Sequence, residues 1–189
     1  MCPRLLGDAS FLELLLEIDR ERAAKVQAGR CPLCGGPLHV GHFCRKPRGF
    51  KGPVPAGFDV RFDFCCGRCR KRCMPASIRY LGRRVYLGVV VALATALQHG
   101  VTSWRARVLR RHLGMARVTL ERWRRWWQDQ LPGTDFWNRI RGELPPTLRV
   151  DRLPQSLLAA FAGILRQRLV ALLRLLGPVT TGSCPGRAL

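Results

Sequence analysis

Apolar residues recur at helical spacing early in the chain, at Phe11, Leu14, Leu15, Ile18 and Val26. This stripe predicts a helix over residues 10–28, with Ser10 and Glu13 in a capping-box pattern and Gly29 as its stop. The pattern changes at residue 31. "CPLCGG" reads as a turn, "PLHVGHFCRKPRGF" as a strand and "KGPVPAG" as a loop. In "FDVRFDF" the chain alternates: Phe58, Val60, Phe62 and Phe64 fall on one face, Asp59, Arg61 and Asp63 on the other. Period-two alternation bounded by Gly and Pro predicts a strand. The whole reads as two cysteine turns joined by a long hairpin.

The remainder reads as helical. The Val run of "RVYLGVVVALATALQHG" would suit a strand, but its length and "ALATAL" end favour a buried helix closed by Gly100. Residues 103–131 predict two helices around "LGMA". Trp104, Val108, Leu109 and Leu113 share a face of the first; Leu120, Trp123, Trp127 and Leu131 line the inner face of the second, taken as 116–131. Three closely connected helices with a glycine turn form a helix-turn-helix pattern. A Pro-interrupted connector follows, then a Leu-rich helix at about 156–176 and a tail expected to be disordered. The fold class is α+β, in six segments. These are an N-terminal helix (1–29), a small β-hairpin cysteine ribbon (30–84), a trihelical helix-turn-helix (85–131), a connector (132–153), a C-terminal helix (154–177) and the tail (178–189).

Charge sharpens this picture. The 189 residues carry a net charge of +21, from 29 Arg and 4 Lys against 12 acids. Residues 1–29 are net −1, residues 30–130 net +17 and residues 131–189 net +5. A positive field concentrated on the cysteine and helix-turn-helix segments suits a polyanion. The longest apolar stretch is interrupted by Arg166, Arg168 and Arg174 and makes a poor membrane span, so no membrane partner is expected. No secretory signal is visible, and a cytoplasmic chain is expected. Reducing surroundings favour metal ligation by paired cysteines over disulfides.

Two C-x2-C motifs supply the ligands. Cys31 and Cys34 precede Gly35 and Gly36; Cys66 and Cys69 enclose Gly67. Zinc takes four tetrahedral ligands, and two thiolates on one tight turn can fill two corners. The 31 residues between the motifs exceed the usual spacing of about 15–20, so the hairpin carries an enlarged loop. Cys65 and Cys66 point to opposite sides of an extended strand. The alternation puts Cys66 with Phe62 and Phe64, and Cys65 with Arg61 and Asp63; Cys65 with Cys69 stays open as a C-x3-C pair. Cys44 and Cys73 read as spare thiols, His39 and His42 as strand residues. Four filled positions leave none for water, so the zinc expected here is structural.

The third helix carries the readable chemistry. Its outward face presents Val118, Glu121, Arg122 and Arg125, flanked by Arg117. In a helix-turn-helix its N-terminal part enters the major groove. Arg117, Glu121 and Arg122 are then the candidates for base edges, and Arg105, Arg110, Arg111 and Arg125 for phosphate contacts. Arg70, Lys71 and Arg72, beside the second cysteine turn, are candidates for the nucleic-acid backbone.

"CPLCGG", "RKPRG", "RFDFCCGRCRKR", "SIRYLGRRVYL" and "LRRHLGMARVTLERWRRWW" together resemble bacterial mobile-element proteins with a zinc ribbon and a helix-turn-helix, similar to the N-terminal DNA-binding part of transposases. The resemblance covers roughly residues 31–131. It implies Cys31, Cys34, Cys66 and Cys69 as Zn2+ ligands and Arg117 to Arg125 as a recognition helix. Transposases of this kind also have a catalytic domain with three acids. Here only Asp135, Glu143 and Asp151 follow, in a Pro-rich stretch, so no enzymatic activity is expected. The first reading is a DNA-binding protein, transposon-associated or regulatory. The second is an RNA-binding or ribosome-associated zinc-ribbon protein, and a third is a degenerate fragment of a mobile element. Leu165, Leu169, Leu172 and Leu176, at 4-3-4 spacing, suit either a homodimer or transposase contact or packing onto the chain's own domain.

Overall fold

The computed structural model describes residues 5, 8–46, 52–81, 87, 88, 90, 103, 107, 110, 111 and 113–180. Helix α1 (Ala9–Ala28) starts one residue earlier than its sequence pattern suggests. Its cap is Asp8 rather than Ser10: the Asp8 carboxylate accepts from the backbone N–H of Ser10 and Phe11, and from the Ser10 hydroxyl. A carboxylate is the stronger acceptor at this site, where the backbone N–H groups have no helical partner. The buried stripe is also wider than expected. Leu12 and Leu16 join Phe11, Leu15 and Ile18, while Leu14 faces outward.

The hairpin exists in two pieces of one register. Strands β1 (Leu38–Val40) and β4 (Phe64–Cys66) pair antiparallel, as do β2 (Phe43–Cys44) and β3 (Val60–Arg61). Gly41 N–H bonds to Asp63 O at 2.9 Å, and Arg45 N–H to Asp59 O at 2.8 Å, so the ladder runs through without a slip. Strand β5 (Arg72–Cys73) adds to β4, giving a sheet of order β1-β4-β5. The alternation along "FDVRFDF" is real, but its polar side is not wet: Arg61 and Asp63 are buried, like Phe58 and Phe64.

The glycine turn at residue 114 is observed. Ser103, Arg107, Arg110, Arg111 and Leu113 are helical. Gly114 follows with φ of 65°, its N–H bonded to Arg110 O at 2.9 Å. Only glycine takes that left-handed conformation cheaply, so the helix ends there. Ala116 then leads into α2 (Arg117–Arg125) with no side-chain cap. The helical path continues as one π turn, Trp126–Gln130, and a 3-10 turn, Leu131–Gly133. Most of the two preceding helices of the expected trihelical unit, Arg105 included, lies outside the described residues.

The connector is not a linker. Thr134 caps α3 (Asp135–Ile140), which buries Trp137. The C-terminal helix is split by Gly163, at φ of 93°, into α4 (Gln155–Ala159) and α5 (Leu165–Leu175). The Gln167 side chain turns back to accept from Ile164 N–H and caps the second piece. Of the 4-3-4 leucines, Leu169, Leu172 and Leu176 are buried inside this chain, with Leu173 beside them. Pro178 to Thr180, read from sequence as tail, complete a 3-10 turn.

One apolar cluster runs from Phe11 through Ile78, Leu87, Leu120, Trp127, Trp137 and Leu157 to Leu173. A second, smaller one joins Ala23 to Cys31, Leu38, Phe64, Cys66 and Cys73. Helix α1 contributes to both. Among the described residues no helix is long and apolar enough to cross a membrane.

Candidate metal centre

Both cysteine turns use the same backbone pattern. In the first, Cys31 N–H bonds to Gly36 O and Gly35 N–H returns to Cys31 O. In the second, Cys66 N–H bonds to Lys71 O and Arg70 N–H returns to Cys66 O. The fifth residue of each turn is left-handed: Gly35 at φ of 69°, Arg70 at φ of 59°. The first turn meets this requirement with glycine; the second holds a bulky residue there, at a cost of about 1–2 kcal/mol.

The hairpin brings the turns face to face. The sulfurs of Cys31, Cys34, Cys66 and Cys69 all lie within 4.8 Å of one another. Cys31 and Cys69 are 3.6 Å apart, Cys34 and Cys66 3.4 Å. Thiolates about 2.3 Å from one central zinc, at tetrahedral corners, stand about 3.8 Å apart. Sulfurs at these separations are too far apart for disulfides, which need about 2.05 Å. The set therefore fits a single metal ion.

The sulfurs also act on one another electrostatically. The amide N–H of Cys69 points at the Cys66 sulfur and, joined by that of Arg68 against the effect of burial, brings its pKa down to about 6. Cys69 is lowered by the Lys71 amide, but burial and the neighbouring sulfurs of Cys34, Cys66 and Cys31 outweigh it and push the thiol up to about 12. One thiolate forms readily and the next resists. A metal ion between the sulfurs would favour the thiolate form that ligation requires.

Cys65 lies on the other face of β4, where its thiol points to the carbonyls of Arg70 and Cys66. Cys73 is buried in the small core, and Cys44 is exposed; neither belongs to the four-sulfur set. His42 sits edge-on to Phe62 and Phe64, with Nδ1 against the Asp63 backbone. His39 is exposed and its ring covers Gly67. Among the described residues this is the one cluster of three or more Cys, His, Asp or Glu side chains that could hold a metal.

Gly36 is where the two turns touch. A Cβ there would lie 2.8 Å from the Arg68 Cβ and 2.9 Å from the Cys66 sulfur. Gly36→Ala must push the turns apart. The expected result is metal binding weakened about 10–100-fold, measured by competition with a chromophoric chelator. An affinity within twofold of the parent would show that the turns separate without cost.

The candidate DNA-contact residues stand outward. Arg110, Arg111, Arg117, Arg122 and Arg125 are exposed, as are Arg70, Lys71 and Arg72. Val118 is 61% exposed, while Leu120, Trp127 and Leu131 face the core. Glu121 is held by Arg117, Nε to Oε1 at 2.7 Å, so the two act as a pair.

The sequence reading missed a buried polar junction. Arg79 is fully enclosed; its Nε donates to Asp19 Oδ2 at 2.8 Å, and its terminal nitrogens donate to Phe58 O at 2.6 Å and Val60 O at 2.9 Å. Asp19 also accepts from Ser77 Oγ and from Ile78 N–H. Tyr80, its hydroxyl donating to Phe58 O, has its pKa pushed up to about 12 by burial. A signal existed: Asp19 falls on the same helix face as Leu12, Leu15, Leu16 and Ala23. No protein-family model, curated protein or solved structure matches this chain.

Proposed function

We propose that the chain is a DNA-binding protein in which α2 enters the major groove and a structural zinc ion, held by Cys31, Cys34, Cys66 and Cys69, fixes the hairpin. The observation that carries this reading is the division of α2. One side packs Leu120 into the core, and the other exposes Val118, Arg122 and Arg125 directly after the left-handed Gly114 turn. A basic helix presented by a glycine turn is the arrangement that a helix-turn-helix uses to reach base edges. Arg122 suits a guanine, Val118 a thymine methyl, and the Arg117–Glu121 pair a fixed fork beside them. The zinc stabilises a segment whose own core is small.

The resemblance to the DNA-recognition part of transposases gives a role to match: a recognition module serving transposition, or a regulator built from one. Asp135, Glu143 and Asp151 do not form a metal-ligating group among the described residues, and Asp151 is paired with Arg149.

Selection of bound sequences from random DNA tests the reading. A short motif is expected at moderate salt. Arg122→Ala should relax one position of it, at a cost of about 1–3 kcal/mol against the preferred base. If no motif emerges, sequence-specific recognition is wrong.

A further inference from the structure

A second basic site lies on the hairpin, assembled from residues far apart in sequence. The guanidinium carbons of Arg45 and Arg72 lie over one ring, 4.7 and 5.7 Å from the Phe43 centroid. Phe43 belongs to β2 and Arg72 to β5. Arg72 Nε is 2.7 Å from Asp63 Oδ2; the carboxylate is fully enclosed, whereas the Arg72 side chain is 60% exposed. The acid therefore holds the cation from the buried side, while much of the Arg72 side chain stays exposed. Lys46, Arg70 and Lys71 are exposed nearby in sequence. Asp59, opposite Arg45 in the hairpin, meets it through the backbone, its carbonyl accepting from Arg45 N–H.

We propose that Arg45 and Arg72, braced on Phe43, form a seat for the phosphodiester backbone of DNA, distinct from α2. The proposal rests on the reading of the chain as a DNA-binding protein. Planar guanidinium forks match phosphate oxygens, and heads already fixed by a buried carboxylate and a ring lose little freedom on binding. Phosphate is the ligand rather than a base because the ring already carries two guanidiniums. The seat adds affinity without sequence preference. Arg45 lies in the basic stretch "FCRKPRGFK" at 43–51, which by sequence, like "CRKRC" at 69–73, suits a nucleic-acid backbone; the bracing by Phe43 and Asp63 is what the sequence pattern does not suggest.

The test uses the full chain and a fluorescent duplex of about 20 base pairs and mixed sequence, titrated between about 50 and 200 mM salt. Arg45→Gln and Arg72→Gln should each weaken binding and flatten the plot of log K against log salt by about 0.9. Arg72→Lys should keep the parent slope, because the charge stays. The motif selected from random DNA should be the same for Arg45→Gln as for the parent. Arg72→Gln exposes the fold to loss of its buried partner, so Arg45→Glu, at an exposed position, provides the second arm and should flatten the slope further. A parent slope in both Arg45 variants overturns the seat and leaves recognition by α2 standing. A parent protein that binds no duplex at the lower salt removes the DNA-binding reading, and the seat with it.

Discussion

Cys66→Ser should abolish stoichiometric metal binding and unfold both cysteine turns, whereas Cys65→Ser should retain one metal per chain. The two sulfurs are adjacent in sequence, yet only Cys66 reaches the four-sulfur set. Serine offers a weaker, harder ligand and leaves three thiols around the ion. Structural zinc contributes an apparent folding free energy of about 10–16 kcal/mol in small zinc-folded peptides, larger than any other single contribution expected here. The core beside the site is small, centred on Leu38, Phe64 and Cys73, and cannot replace that contribution. Metal per chain, measured after gel filtration, and thermal melting with and without chelator check the result. Loss of metal in Cys65→Ser, with retention in Cys66→Ser, would reverse the ligand assignment.

Asp19→Ala is the second large effect. It removes the carboxylate that accepts from Arg79, Ser77 and Ile78. Arg79 has no exposed surface and would be left without its counter-ion beside Phe58, Phe62 and Tyr80. Breaking a buried pair from one side costs about 3–5 kcal/mol, a large share of a typical total of about 5–15 kcal/mol. For a chain of this size the melting temperature should fall by about 6–20 °C. Asp19→Asn should cost less, since the amide oxygen can still accept from Ile78. Replacing both partners with apolar residues should not restore full stability, because Val60 O would lose the Arg79 donor and Phe58 O would keep only the Tyr80 hydroxyl. A cost below about 1 kcal/mol for Asp19→Ala in urea titration would show that water reaches Arg79 when its partner is gone.

The features legible in the sequence were those governed by short-range pattern. Alternation in "FDVRFDF" gave the hairpin and put Cys65 and Cys66 on opposite faces. The glycine in "LGMA" marked the end of a helix, and the spacing of Leu120, Trp127 and Leu131 marked the inner side of the next. What escaped depended on residues brought together from a distance. Nothing local says that Arg61 and Asp63 are covered, because the covering comes from the segment around Pro75 and from Arg72. Nor does anything local pair Asp19 with Arg79. The break at Gly163 was hidden by continuous apolar composition on both sides, although a glycine within a leucine-rich run signals such a stop. The leucines at 169, 172 and 176 show the limit of periodicity: it identifies a buried face without saying what buries it.

Helix α1 lies in both apolar clusters, with Asp19 between them. This bears on how the molecule can be cut. A fragment beginning at residue 30 would keep all four sulfurs and the whole hairpin. It would also lose Ala23 and Val26 from the wall of the small core, and the carboxylate that neutralises Arg79. Such a fragment would carry the ligands without the surface on which they are mounted. The smallest working piece must instead begin ahead of Asp8, whose side chain starts the helix.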